Sequence, residues 1–260
     1  MNPFLLSTKG LCKNFGGVNA AENFDLDLRD GELVGLIGPN GSGKTTIFNL
    51  ITGFQPPTSG SVYFQGNLIT GKSPSQIVRM GVGRTFQHTR LLRELSVLEN
   101  IMVSFHLQAK ATFLSILLHN RRFKDSETEI LESSLELLKL FKLEGRLRSP
   151  AGALPYGDQR FLEIVRALAL KPRLLLLDEP TAGMNSGEQA RLVGRILDIK
   201  RRYGVAILLI EHHMDVVMNI CERIVVLNYG AKLSEGSPEE IRKDPKVVEA
   251  YLGSDEDASH

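Results

Sequence analysis

The chain has 260 residues, 31 Lys and Arg against 30 Asp and Glu, and a formal net charge of +1, the composition of an ordinary globular protein with room for a large core. So balanced a charge gives no whole-chain attraction for nucleic acid. Cys12 and Cys221 stand apart from each other and from any C-x-x-C spacing, so neither a disulfide framework nor a zinc site is suggested and they read as packing residues.

In chain order, the start Met-Asn-Pro-Phe-Leu-Leu-Ser lacks a basic stretch followed by an apolar one, so no secretory signal is expected and the protein should stay in the cytoplasm. Short segments at Phe4 to Thr8, Phe24 to Leu28 and Ser61 to Phe64, bounded by Gly, Asn and Asp, predict an antiparallel β portion. The runs Leu33 to Ile37, Leu174 to Leu177, Val205 to Ile210 and Ile224 to Leu227 are continuously apolar, as in strands covered on both faces. Helical stretches separate them. That alternation predicts an α/β core with a mainly parallel sheet, whose ligands bind at the carboxyl ends of the strands.

From about Arg90 to Leu154 the pattern becomes helical, with Leu131, Leu135 and Leu138 on one face and Ile130, Leu137 and Phe141 beside it. An inserted helical subdomain is expected there, resting in part on the main core. The basic runs Arg121-Arg122-Phe-Lys124 and Lys200-Arg201-Arg202 read as solvated helix ends or loops. The most apolar runs, including Ala111 to Leu118, fall far short of the ~20 residues that span a bilayer, so membrane association must go through a partner. The acidic tail Ser254 to His260 is expected to be disordered. The expected division is a nucleotide-binding core in two parts, 1–89 and 161–236, a helical piece at 90–160 and a C-terminal extension at 237–260.

The most informative stretch follows the first buried strand. Gly38, Pro39, Asn40, Gly41, Ser42, Gly43, Lys44, Thr45 and Thr46 give G-x-x-x-x-G-K-T. Its glycines let successive backbone N–H groups turn inward around an anion, and the helix that the loop opens adds its positive end. Lys44 would reach the outer phosphates and Thr45 would hold Mg²⁺. Kinases, GTPases and motor ATPases all remain open on this motif alone. The strand Leu174 to Leu177 then ends in Asp178-Glu179-Pro180. Asp178 is placed to hold Mg²⁺, directly or through its waters, and Glu179 to act as general base near the outermost phosphate.

With these motifs in order the chain resembles the ATP-binding-cassette (ABC) transporter ATPases from Leu11 to about Gly253. The resemblance implies a P-loop NTPase, RecA-like core with an antiparallel β portion and an inserted α-helical subdomain. It implies that Phe15, in Asn14-Phe15-Gly16-Gly17, stacks on adenine, that Gln87 senses Mg²⁺ and the membrane partner, and that His212 is the switch histidine. Leu154-Pro155-Tyr156-Gly157-Asp158-Gln159-Arg160 occupies the place of the family signature. There Tyr156, Gly157, Asp158 and Gln159 at a helix start would face the γ-phosphate of ATP held by a second subunit. Glu211, His212, His213 and Asp215 do not read as a metal site, since adjacent histidines point apart. His213 is left as a helix-start surface residue.

Three positions in two segments depart from the family. Pro155 stands where the common Leu-Ser-Gly-Gly-Gln has serine and Tyr156 replaces its first glycine; Asn185, in Ala182-Gly183-Met184-Asn185, stands where many members have aspartate. The signature should therefore lean on later amides and the helix dipole, since proline has no N–H. The signature, the Ala-Gly-Met-Asn loop and the ending Pro238 to Gly253 look most like the ATPase subunits of branched-chain amino acid importers. ATPases for urea or short amides, and for lipopolysaccharide export, share much of the pattern. The implied cofactors are ATP and Mg²⁺. The implied partners are a second cassette, identical or homologous, membrane permease subunits and, indirectly, a solute-binding protein, with the chain peripheral on the inner face of the membrane. A non-transport cassette that clamps nucleic acid, and a regulatory ATP-binding module with little hydrolysis, are the rivals. The absence of a second cassette, of a long coiled coil and of basic excess argues against the clamp.

Overall fold

The computed structural model describes residues 3–87, 89–108 and 121–256. Among them, β3 (Leu33–Ile37), β6 (Val82–Arg84), β7 (Leu174–Asp178), β8 (Ala206–Ile210), β9 (Arg223–Asn228) and β10 (Ala231–Gly236) form one sheet in the order β10-β9-β3-β8-β7-β6. All neighbours in it are parallel except β10 on β9. A second, antiparallel sheet runs β2-β1-β4-β5, with β1 at Leu6–Phe15, β2 at Val18–Leu28, β4 at Ser59–Phe64 and β5 at Asn67–Leu68.

The apolar runs are continuous because both faces of the parallel sheet are covered. Leu33, Ile37, Leu175, Leu177, Ile207, Leu209, Ile224 and Val226 enter one core; Val34, Leu36, Leu174, Leu176, Leu208, Ile210, Val225 and Leu227 enter the other. This is the period-two alternation of a strand, hidden in sequence because neither face is polar. The second core is closed by α1 (Lys44–Ile51), α2 (Pro74–Arg79) and the inner residues of the antiparallel sheet, Leu6, Leu11, Phe24, Leu26, Val62 and Phe64. Truncating a fully buried leucine such as Leu177 should cost about 2–5 kcal/mol.

The first core is closed by helices. It takes in Val97, Ile101 and Phe105 of α3 (Val97–Gln108), Ile130, Leu137 and Leu138 of α4 (Arg121–Leu140), and Phe161, Leu162, Val165 and Leu168 of α5 (Tyr156–Ala169). It also takes in Leu192, Ile196 and Ile199 of α6 (Ser186–Tyr203) and Val216, Val217 and Ile220 of α7 (Met214–Ile220). The helices after Arg90 therefore share a core with the sheet. The expected leucine face is rotated: Leu131 is exposed and Leu135 half-buried, while Ile130, Ser134, Leu137, Leu138 and Phe141 form the buried stripe. Ser134 is tolerated there because its hydroxyl donates to Ile130 O at 2.7 Å.

Lys200, Arg201 and Arg202 close the last turn of α6, the end that favours cations, and pair with Glu222, Asp198 and Glu136. Burial pushes the Cys221 thiol up to about 12, in keeping with a packing role. After β10 come α8 (Pro238–Lys243) and α9 (Pro245–Glu256), so helix continues through residues 254–256, where disorder was expected. The side chains of the basic run 121–124, the apolar run 111–118 and the tail from 257 lie outside the described residues. No helix among the described residues is long and apolar enough to cross a membrane.

Candidate functional site

The loop 38–43 joins β3 to α1, and its path depends on glycine. A Cβ on Gly38, at φ 152°, would fall 2.1 Å from Leu227 O; one on Gly43, at φ 102°, would fall 2.2 Å from Ala20 O. The hairpin tip between β9 and β10 braces the loop, with Gly230 N donating to Ser42 O at 3.0 Å. Lys44 is buried and its Nζ donates to the carbonyls of Gly38 and Pro39, both at 2.8 Å. Burial pushes the lysine pKa down, and the charges of Glu179 and Asp178 act against that shift.

The starts of the helices divide into two kinds. Ser73, Asn185 and Ser237 close α2, α6 and α8 with reciprocal capping boxes. Gly43 before α1 and Pro155 before α5 supply no side-chain cap, and neither does His213 before α7. The first-turn N–H groups of α1 and α5 are thus left for a partner other than their own cap residue, which fits an anion at each. Asn185, the departure from aspartate, keeps the capping function that either residue would serve.

Glu179 follows β7 with φ 47°, a conformation that costs a non-glycine residue of order 1 kcal/mol or more. Its carboxylate is held from both sides: Gln87 Nε2 donates to Oε2 at 3.0 Å and His212 Nε2 lies 2.7 Å from Oε1. A carboxylate accepts, so His212 carries its proton on Nε2 here. Three residues far apart in sequence therefore meet at one group. Asp178 beside it is buried, and its Oδ2 accepts from Arg84 Nη2 at 3.0 Å. Burial pushes the Asp178 carboxyl up, and Arg84 works against that. Arg84 is itself fixed by Asn49 Oδ1 at 2.8 Å and Thr52 Oγ1 at 2.9 Å.

Thr45, Gln87 and Asp178 line one cavity of about 380 Å³ together with Asn49, Phe54, Gln55, Arg84, Phe86 and Arg90. Hydroxyl, amide and carboxylate oxygens make a hard donor set, which suits Mg²⁺. Phe15, at the tip of the β1–β2 hairpin, is 45% exposed, and Lys13 Nζ lies over its ring 5.0 Å from the centre. The signature residues stand separately. Among the described residues no hydrogen bond joins Tyr156, Gly157, Asp158 or Gln159 to the loop 38–46; Asp158 pairs with Arg146 at 3.4 Å and Gln159 Nε2 donates to Leu154 O at 2.8 Å. Tyr156 is 44% exposed, and a Cβ on Gly183 would meet its ring at 3.0 Å.

Several residues of the site escape sequence reasoning. Glu211 is buried and accepts from Thr181 N at 2.8 Å, Thr181 Oγ1 at 2.7 Å and His212 N at 3.2 Å. His213 is exposed at the start of α7, as expected, and in addition places Nδ1 3.0 Å from Thr181 Oγ1 and 3.3 Å from Glu211 Oε2. This cluster ties the segment after Glu179 to the segment carrying His212. The acid in Glu211-His212 was visible, but its burial was not.

A family model described as "ABC transporter" matches residues 21–182, and one described as "Branched-chain amino acid ATP-binding cassette transporter" matches residues 231–257. The chain is 46% identical over 253 residues to the high-affinity branched-chain amino acid transport ATP-binding protein LivG of Salmonella typhimurium, covering 97% of this chain and 99% of that protein. It is 43% identical over 249 residues to BraF of Pseudomonas aeruginosa, covering 96% and 98%. Among solved structures, an ABC-transporter cassette in its ADP conformation superposes with TM-score 0.83 at 33% identity, covering 96% of this chain and 99% of that one. A dimeric bacterial ABC transporter cassette superposes with TM-score 0.77 at 25% identity, covering 90% and 98%. With the phosphate loop, the acid pair and the full-length likeness in agreement, the chain belongs to the ATP-binding-cassette transporter family as one of its ATPases.

Proposed function

We propose that this chain is the ATP-hydrolysing subunit of an importer of branched-chain amino acids. The observation that carries the catalytic part is the convergence of Gln87 and His212 on the two carboxylate oxygens of Glu179, next to the Lys44 loop. The solute is supported by the names of the LivG and BraF relatives and by the family model over residues 231–257.

In this reading the amides of the loop 38–46 and Lys44 hold the phosphates, and Phe15 offers its exposed ring to adenine. Thr45, Asp178 and Gln87 would hold Mg²⁺, which neutralises charge on the β- and γ-phosphate oxygens when bound. Glu179 takes a proton from the water that attacks the γ-phosphorus; the new P–O bond forms as the bond to the ADP oxygen breaks. His212 and Gln87 keep the carboxylate aimed. Tyr156, Gly157, Asp158 and Gln159, at an uncapped helix start, face the γ-phosphate held by a second cassette; that a related solved cassette is dimeric supports the pairing of two cassettes.

Two ATP molecules then close the pair, and loss of the γ-phosphate contacts opens it. The helical piece 90–160 and the Gln87 loop pass the motion to permease subunits, which hold the chain at the inner face of the membrane. The test is reconstitution with the membrane subunits and receptor: leucine, isoleucine or valine should stimulate both uptake and ATP hydrolysis. Stimulation by urea or short amides instead, or by nucleic acid in their place, would reassign the transported class or the role.

A further inference from the structure

Three side chains on one face of α5, spaced i, i+3 and i+6, grip a strap of backbone at residues 86, 87 and 90. Arg160 Nη1 donates to Phe86 O at 2.9 Å and Nη2 donates to Gln87 O; Glu163 Oε1 accepts from Arg90 N at 2.8 Å; Arg166 Nη1 donates to Arg90 O at 2.6 Å. All four contacts go to main-chain atoms, so they fix the path of this strap rather than any one of its side chains. The same Arg160 donates from Nε to the Tyr156 hydroxyl at 3.0 Å and from Nη1 to Glu163 Oε2 at 3.2 Å, and its guanidinium lies 5.3 Å from the centre of the Tyr156 ring.

Arg160 and Glu163 are only 4% and 7% exposed. Burial pushes the Glu163 carboxyl up, and the Arg90 N–H and the Arg160 charge oppose that. Removing either partner would leave the other charge buried and uncompensated, which makes the pair a rigid joint. Space around this start of α5 is tight: a Cβ added to Gly183 would lie 3.0 Å from the Tyr156 ring, and one added to Gly157 would lie 2.8 Å from Glu188 Oε1.

We propose that Arg160, backed by Glu163, is a positioning residue for ATP hydrolysis: it ties the backbone at Gln87, whose side chain meets Glu179, to Tyr156 at the start of α5. Displacement of the strap then carries the start of α5 with it, and the two half-sites of one chain move together. The inference rests on the reading of Gln87 as a working site residue. A chain of contacts alone does not demonstrate coupling, and a double-mutant cycle does.

The measurement is steady-state ATP hydrolysis by the full chain with Mg²⁺, across Arg160→Met, Arg160→Lys, Gln87→Ala and the Arg160→Met/Gln87→Ala double variant. Arg160→Met should lower kcat about tenfold or more with KM within about threefold, because the phosphate loop is untouched. Arg160→Lys keeps the charge but loses the fork, and should recover only part of the rate. The double variant should fall no further than the worse single variant, within about twofold. Glu163→Gln, which keeps an oxygen for the Arg90 N–H, should lose about two- to fivefold and serves if Arg160→Met does not fold. Wild-type kcat in both Arg160→Met and Glu163→Gln overturns the proposal, as does a double variant equal to the product of the singles or a KM that rises as kcat falls. Gln87→Ala at full rate overturns the reading of Gln87 itself, whereas loss in Gln87→Ala without loss in Arg160→Met overturns only the strut.

Discussion

The phosphate loop and the signature segment both start a helix without a side-chain cap, yet they are held in opposite ways. The loop is shaped by main chain: glycines at φ 152° and 102° press against the carbonyls of Leu227 and Ala20, and a hairpin tip braces Ser42 O. The signature is shaped by side chains, with Arg160 and Glu163 locking it to the main chain of residues 86, 87 and 90 and Arg160 also holding the Tyr156 hydroxyl. Main-chain shaping allows few sequences, which is why the loop reads as a motif. Side-chain shaping tolerates Pro155, because the contacts that fix the segment come from Tyr156 and from further along α5.

The sharpest contrast is expected at the reacting end of the main-chain site. His212→Ala removes one of the two groups that aim Glu179 and should lower kcat about 10²-fold with little change in nucleotide affinity, as read by steady-state kinetics and calorimetry. Lys44→Ala should act on affinity instead: a charged hydrogen bond worth about 1.5–3 kcal/mol corresponds to a roughly 10- to 150-fold weaker Kd for Mg·ATP in a calorimetric titration. Glu211→Ala tests whether the segment after Glu179 depends on a side chain after all. It leaves the buried Thr181 N–H without its acceptor and should cost about 1–3 kcal/mol in denaturant unfolding.

The smallest effect belongs to the cap of α8, in the C-terminal extension. Ser237→Ala removes the cap of α8 and should cost about 1 kcal/mol at neutral pH. The main-chain N–H of Ser237, then its hydroxyl, hold the Glu240 carboxyl below its ordinary value. A lowered acid stabilises above that ordinary value and loses the contribution as pH falls through the lowered one. The gap between Ser237→Ala and wild type should therefore narrow in thermal melts below about pH 4. An unchanged gap would mean that Glu240 takes no part in the cap.

Much of this architecture is legible in the sequence, for reasons that differ by element. Leu33–Ile37 and Leu174–Asp178 announce themselves because two covered faces leave no polar position in the strand. Val82–Arg84 does not, since a three-residue edge strand after Gly81 carries no pattern, yet it delivers Arg84 to Asp178. Asp178 and Glu179 are readable as an acid pair at a strand end. Arg84, which pairs with Asp178, and the buried Glu211 and Arg160 are not, because nothing local tells a buried charged residue from an exposed one. In α4 the apolar residues wrap too far round to fix the face, and the buried Ser134 decides it.

The central claim is that Glu179 removes the proton from the attacking water. Single-turnover cleavage of Mg·ATP by wild type and Glu179→Gln, with the Kd of each measured alongside, tests it most directly. The account predicts a Kd within about threefold of wild type and phosphate formation slowed about 10²- to 10⁴-fold. Cleavage by Glu179→Gln at the wild-type rate would contradict it.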